Sequence, residues 1–212
     1  MDTHALDERN DLVESLRLAG PGAPTLIPEW TTSQLAAHLL LRERSFAELA
    51  GRVPVQRMRD YAQRHLDAYA ATHEYEQVIA DFAAGPPIWS PLARPRLREA
   101  LNLLEYVIHN EDVRRAGQQW QPRAVPAKRV ETIWARLRVG ARMTMRSVPV
   151  PVQLAWPDHA SATIGRGAPR VTVTGDPVEL ALVAFGRQRI AQVDYEGTDE
   201  DVTTVRDWPI AI

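Results

Sequence analysis

The chain has 212 residues, a formal net charge of −2, 45% hydrophobic and 25% charged residues, and no cysteine. This length is enough to bury a proper core in one large domain or two smaller ones, and the near-neutral charge offers no basic field for nucleic acid. Without cysteine there can be no disulfide, thiolate ligand or cysteine nucleophile. No apolar run approaches the roughly 20 residues of a membrane helix, and the N-terminal MDTHALDERND is polar and acidic, unlike a signal peptide. A soluble, cytoplasmic protein is expected, with no nucleic-acid or membrane partner.

Residues up to about 145 read as helices. The first spans 4–19, with Leu6, Val13, Leu16 and Ala19 at helical spacing, and ends at Gly20-Pro21-Gly22. A proline-stiffened loop, PGAPTLIPEW, leads to the clearest start signal in the chain. Thr31 and Gln34 match a capping box, and Trp30 and Leu35 are placed for a hydrophobic staple. This second helix is expected to run to about Ala50, with Gly51 at C′ and a stripe of Leu35, Leu39, Phe46 and Leu49 beside His38. A long helical stretch over 54–84 has a break near Thr72, which could cap the second piece, and Gly85-Pro86-Pro87 stops it. Another helix covers roughly 95–116, with Leu97, Leu101, Leu104 and Ile108 as its inward stripe. A fifth helical segment, 127–142, carries Val130, Ile133, Trp134 and Leu137.

The texture changes near Val148. VPVPVQLAW, SATIG and RVTVTG are short, β-rich and separated by turn residues. GDPVELALVAFGR reads as a helix with Asp176 at N-cap and Pro177 at N1. RQRIAQVDYEG reads as one more strand, and TDEDVTTVRDW as a short polar tail. The class is therefore α+β: a helical domain over 1–145, then a small α+β domain over 146–212.

The residues that can carry chemistry lie on two of these helices. Glu105 and His109 are four apart, so they project from one helical face roughly 5–6 Å apart. His38, from an earlier helix, could complete a set of three ligands and leave a coordination position open, as catalytic metal sites do. On pattern alone the alternative stands, because Glu-x-x-x-His pairs arise by chance on helices and a histidine beside an apolar stripe is often a satisfied core residue. The charged EDVRR after His109 reads most simply as a solvated helix end. His4, His65, His73 and His159 have no partner pattern. In favour of a metal, Glu105 sits next to the inward stripe, where a buried carboxylate needs a partner, and helical bundles build metal sites from inward Glu and His.

Several stretches resemble the actinobacterial branch of the DinB-like superfamily that includes mycothiol-dependent maleylpyruvate isomerase. IPEWTTSQLAAHLLLRE resembles that family's loop, Trp, polar cap and helix with a metal-binding His, here His38. EALNLLEYVIHNEDVRRAG resembles its helix with Glu and His, here Glu105 and His109. GDPVELALVAFGR resembles a helix of its small C-terminal domain that ends in Gly-Arg, here Gly186-Arg187. The chain is most similar to a metal-binding subgroup of that superfamily rather than to the isomerase itself. The resemblance implies a DinB-like four-helix bundle followed by the small α+β domain. It implies a divalent metal on His38, Glu105 and His109, zinc by its donor set, with nickel, manganese and iron as other divalent choices. It also implies mycothiol as a low-molecular-weight thiol co-substrate, and thiol transfer to an electrophile or thiol-assisted isomerisation as the reaction. Arg187 would then be catalytic, binding an anionic group bidentately; its alternative is an ordinary surface arginine at a helix end. A metal-binding stress-response protein without turnover and a metal-dependent hydrolase are the competing functions, and a homodimer is left open.

Overall fold

The computed structural model describes residues 4–44, 56–88, 90–117 and 119–210. Among the described residues it is an α+β fold with eight α-helices and a four-stranded sheet. By compactness the chain divides into two units, Met1–Gln121 and Pro122–Ile212.

The first unit is helical: α1 (His4–Ala19), α2 (Thr32–Arg44), α3 (Gln56–Thr72), α4 (Tyr75–Ala83) and α5 (Pro95–Arg114). α1 packs on α5 and α4, and α2 on α3 and α4. Leu12 and Leu16 of α1, Leu35 and Leu39 of α2, Ile79 and Phe82 of α4, and Leu103 and Val107 of α5 are buried. At the start of α2 the Gln34 side chain accepts hydrogen bonds from both Thr31 N–H and the Thr31 hydroxyl, each at 2.7 Å, which closes the return arm of the expected box. The expected continuation of this helix to Ala50, with Phe46, Leu49 and the C′ Gly51, lies outside the described residues. The break between α3 and α4 falls where expected, but Thr72 does not cap α4. Its hydroxyl turns back to Ala68 O of α3 at 2.7 Å, and Glu74 occupies the N-cap position.

The inward face of α5 also departs from expectation. Leu97 and Leu101 are 37% and 54% exposed, whereas Asn102, Leu103, Tyr106, Val107, His109 and Asn110 are buried. The leucine stripe misreads the face because half of the true one is polar and finds its partners across the core. Arg9 of α1 and Glu43 of α2 form a fully buried ion pair, and the Tyr106 hydroxyl donates to Glu43 and accepts from Arg9 at 2.6 Å. The guanidinium lies over the rings of Phe82 and Tyr106, 4.7 and 5.1 Å from their centroids. The EDVRR segment is likewise not a solvated end. Glu111, Asp112 and Arg115 are buried, Arg115 Nε donates to Glu111 at 2.5 Å, and its guanidinium stacks over Trp120 at 4.3 Å.

The second unit begins with α6 (Ala127–Thr144), which packs on α7 (Pro177–Ala184). The texture change near Val148 thus falls inside this unit: α6 is helical like the first unit, yet it buries Val130, Ile133, Trp134 and Leu137 in the second. The sheet has the order β2-β1-β3-β4, with β1 (Val152–Trp156) antiparallel to β2 (Ala160–Ile164) and parallel to β3 (Val171–Thr174), and β3 antiparallel to β4 (Asp194–Glu196). Val152, Leu154, Val171 and Val173 alternate onto one buried face. All eight residues of α7 are buried, as for a helix that is apolar all round. Its Asp176 N-cap accepts from Val178 N at 2.9 Å, so Asp176→Ala is expected to cost about 1 kcal/mol in denaturant unfolding. At its other end Gly186 takes φ +82°, and Gly186 N–H and Arg187 N–H bond to Val183 O and Leu182 O, a Schellman closure that favours glycine. The expected polar tail is instead α8 (Asp199–Asp207). The Thr198 hydroxyl caps it by accepting from Asp201 N, its first turn carries three acidic residues, and Val205 is its buried apolar contact. So sparse an apolar stripe is what conceals this helix in the sequence.

Candidate metal centre

The structure brings His38, Glu105 and His109 together. One ligand atom from each lies within 4.8 Å of the other two. His38 comes from α2, and the other two from α5 one turn apart. The loop between α1 and α2 holds these helices in register: Leu26 N–H bonds to Asp112 O of α5 at 3.0 Å, and Thr32 N–H to Ala23 O at 2.9 Å. At the end of that loop Trp30 packs against Ala37, Leu41 and Leu66, with its ring 5.1 Å from that of His38. The imidazoles of His38 and His109 meet edge to face, with centroids 5.4 Å apart.

His109 is buried and held at both nitrogens. Nδ1 is 2.9 Å from Asp112 Oδ2, and Nε2 is 3.5 Å from Glu105 Oε2. Burial disfavours its charged form, but hydrogen bonds to Asp112 and Glu105 outweigh this and raise its pKa. Glu105 has a side chain 17% exposed, and its other oxygen, Oε1, is 3.1 Å from Arg42 Nη2. Burial pushes its pKa up, but the Arg42 guanidinium and the His109 ring bring it well below the usual carboxylate range.

This donor set suits a divalent ion. Tetrahedral N and O ligands about 2.0–2.1 Å from zinc lie about 3.3 Å from each other, close to the 3.5 Å between His109 Nε2 and Glu105 Oε2. Asp112 holds the ring of His109 through Nδ1 and leaves Nε2 toward Glu105, the arrangement that usually supports a ligating histidine. Asp112→Asn, which keeps the size but loses the charge, is expected to weaken zinc binding about 10–100-fold, read by competition titration with a chelator.

Sequence reasoning missed Asp112 and Arg42, although both carry a signal: Asp112 is i+3 from His109, and Arg42 is i+4 from His38. Arg187 lies in the second unit just after α7, half-buried, with Nη1 donating to Phe185 O at 2.6 Å. His73 stacks on Tyr69 and His159 on Trp156, both at the surface.

Two solved structures match the fold over nearly its whole length. One is a mycothiol-dependent maleylpyruvate isomerase carrying a histidine-to-alanine mutation, 18% identical, covering 88% of this chain and 92% of that one with a TM-score of 0.57. The other is a mycothiol-dependent maleylpyruvate isomerase, 15% identical, covering 92% and 96% with a TM-score of 0.53. The likeness shows the fold. No family model matches the sequence, and no match is found among curated proteins. No described helix is long and apolar enough to cross a membrane.

Proposed function

We propose that this chain holds a divalent metal, zinc first, on His38, Glu105 and His109, and that it is an enzyme using an exogenous thiol of the mycothiol type for thiol-assisted isomerisation or thiol transfer to an electrophile. In this reading the helical part is a DinB-like metal-binding bundle, and the protein acts in the cytoplasm of an actinobacterial cell. The observation that carries the proposal is the meeting of the three donor atoms within 4.8 Å in a fold shared with mycothiol-dependent isomerases.

A divalent ion bound there would supply a Lewis-acidic position that favours a thiol's anionic form near neutral pH. The chain's own groups favour the same kind of ligand. The carboxylates of Glu105 and Asp112 stand against the Arg42 cation, so these groups together only partly neutralise a divalent ion. An anionic ligand then completes the charge balance. With no cysteine in the chain, a thiolate must come from outside. Arg187 is assigned to bind an anionic group of the thiol or the substrate.

X-ray absorption at the zinc edge, recorded with and without mycothiol, tests this reading. Sulfur entering the coordination sphere supports it. An unchanged oxygen and nitrogen sphere favours a hydrolase or a metal-binding protein without turnover. Thiol binding is expected to release protons, to strengthen as pH rises toward the free thiol's pKa, and to vanish in metal-stripped protein. Arg187→Ala is expected to weaken binding of mycothiol by about tenfold or more, the effect of losing a charge-assisted hydrogen bond, with metal content unchanged. Calorimetry and elemental analysis on the same samples check both.

A further inference from the structure

We infer that Arg42 is a positioning residue that reserves one oxygen of Glu105 for itself, so that Glu105 offers the centre a single oxygen and an exogenous ligand finds a position open. This inference rests on the metal-site reading above and adds a residue to it.

The two oxygens of Glu105 point to different partners. Oε1 is 3.1 Å from Arg42 Nη2, and Oε2 is 3.5 Å from His109 Nε2. Without a competing donor, a carboxylate beside a divalent ion can swing both oxygens onto it and fill a further coordination position. Arg42 is well placed to prevent this, because its guanidinium is itself held. Nη1 donates to Asn102 Oδ1 at 2.5 Å, Nη2 donates to Leu101 O at 3.1 Å, and the side chain is only 9% exposed. Asn102 is fully buried and donates in turn to the Tyr106 hydroxyl at 2.9 Å, which sits on the Arg9–Glu43 pair. A planar fork with two anchored arms keeps its direction better than a lysine could. The polar inward face of α5 thereby gains a role: a continuous run of hydrogen bonds from the core ion pair to the outer oxygen of a metal-ligating carboxylate.

Cobalt(II) substitution reads the coordination number directly, since four-coordinate cobalt absorbs visible light far more strongly than five- or six-coordinate cobalt. The full chain is loaded with cobalt, its metal content is measured, and β-mercaptoethanol is added as the thiol probe. The wild type is expected to show strong visible bands and a new near-ultraviolet sulfur-to-metal band with the thiol. Arg42→Met is expected to retain cobalt but lose visible intensity several-fold and lose the thiol band. Arg42→Lys, which keeps the charge but not the fork, is expected to fall between the two. If Arg42→Met does not fold, Arg42→Gln carries the same expectation. Folded, fully loaded Arg42 variants with wild-type spectra and wild-type thiol response would overturn the inference while leaving the metal site standing. A wild type that takes up no cobalt would overturn the site reading and the inference with it. A wild type that binds cobalt with strong bands but gives no thiol band would remove the thiol reading alone, and the visible bands of the variants would still decide the role of Arg42.

Discussion

Arg9→Met is expected to lower the stability of the folded chain by about 3–5 kcal/mol, because it strands Glu43 as an uncompensated buried charge. Both side chains of this pair are essentially inaccessible, at 1% and 0% exposure, so little solvent can relieve the loss. Arg9 also bridges Glu43 Oε2 at 3.1 Å, Phe82 O and the Tyr106 hydroxyl, and each of those acceptors would lose one of its donors. The double substitution Arg9→Met with Glu43→Leu removes both charges at once. It is expected to recover most of the lost stability, since apolar groups can replace a buried pair at little net cost. Urea unfolding of the wild type, the single variant and the double variant gives both differences. A single variant within about 1 kcal/mol of the wild type would contradict the picture of a sealed, mutually dependent pair.

Zinc in large excess is expected to raise the stability of the wild type, and His109→Ala is expected to abolish that increase. A ligand at a thousand times its dissociation constant adds about 4 kcal/mol to a fold that binds it only when native. Removing the buried His109 takes away one of the three proposed ligands and the link through Asp112. The zinc-dependent gain should therefore disappear, whatever the variant's own stability. Thermal melts with zinc and with a chelator measure the gain separately in each protein, so a general destabilisation by the mutation does not mimic the effect. An equal zinc-dependent shift in both proteins would place the binding elsewhere.

Much of the architecture is legible in the sequence because local signals and burial agree there. Helices α1 and α6 fall where their apolar spacing puts them, α2 starts at Thr31 and Gln34, the break between α3 and α4 falls near Thr72, and α7 starts at its Asp176 cap. What is hidden on α5 has one physical cause in common: burial of polar groups that are satisfied inside the protein, by distant partners for Asn102 and Tyr106 and within about one turn for His109. Asn102, Tyr106 and His109 face inward on α5 because Arg42, Glu43 and Asp112 receive them, and no periodicity of apolar residues can show this. The same reasoning applies to Glu111 and Arg115, which look like a solvated helix end until they pair with each other beneath Trp120. Helix α8 is hidden for a different reason, since it is held by its cap and a thin apolar contact rather than by a stripe. At the centre itself, the spacing of Glu105 and His109 and the placement of His38 beside the apolar stripe of an earlier helix are visible in the sequence, and the family resemblance points to the same three residues. Arg42 and Asp112 stand at helical spacings from His38 and His109, but their proposed roles depend on how α2 and α5 face each other.

The most direct test of the metal centre is elemental analysis of the purified chain after dialysis, for the wild type, His38→Ala and His109→Ala side by side. The wild type is expected to hold about one divalent ion per chain, as three donor atoms converging on one point would bind, and each variant to hold little or none. Full stoichiometric metal in both variants would contradict the assignment of His38 and His109 as ligands.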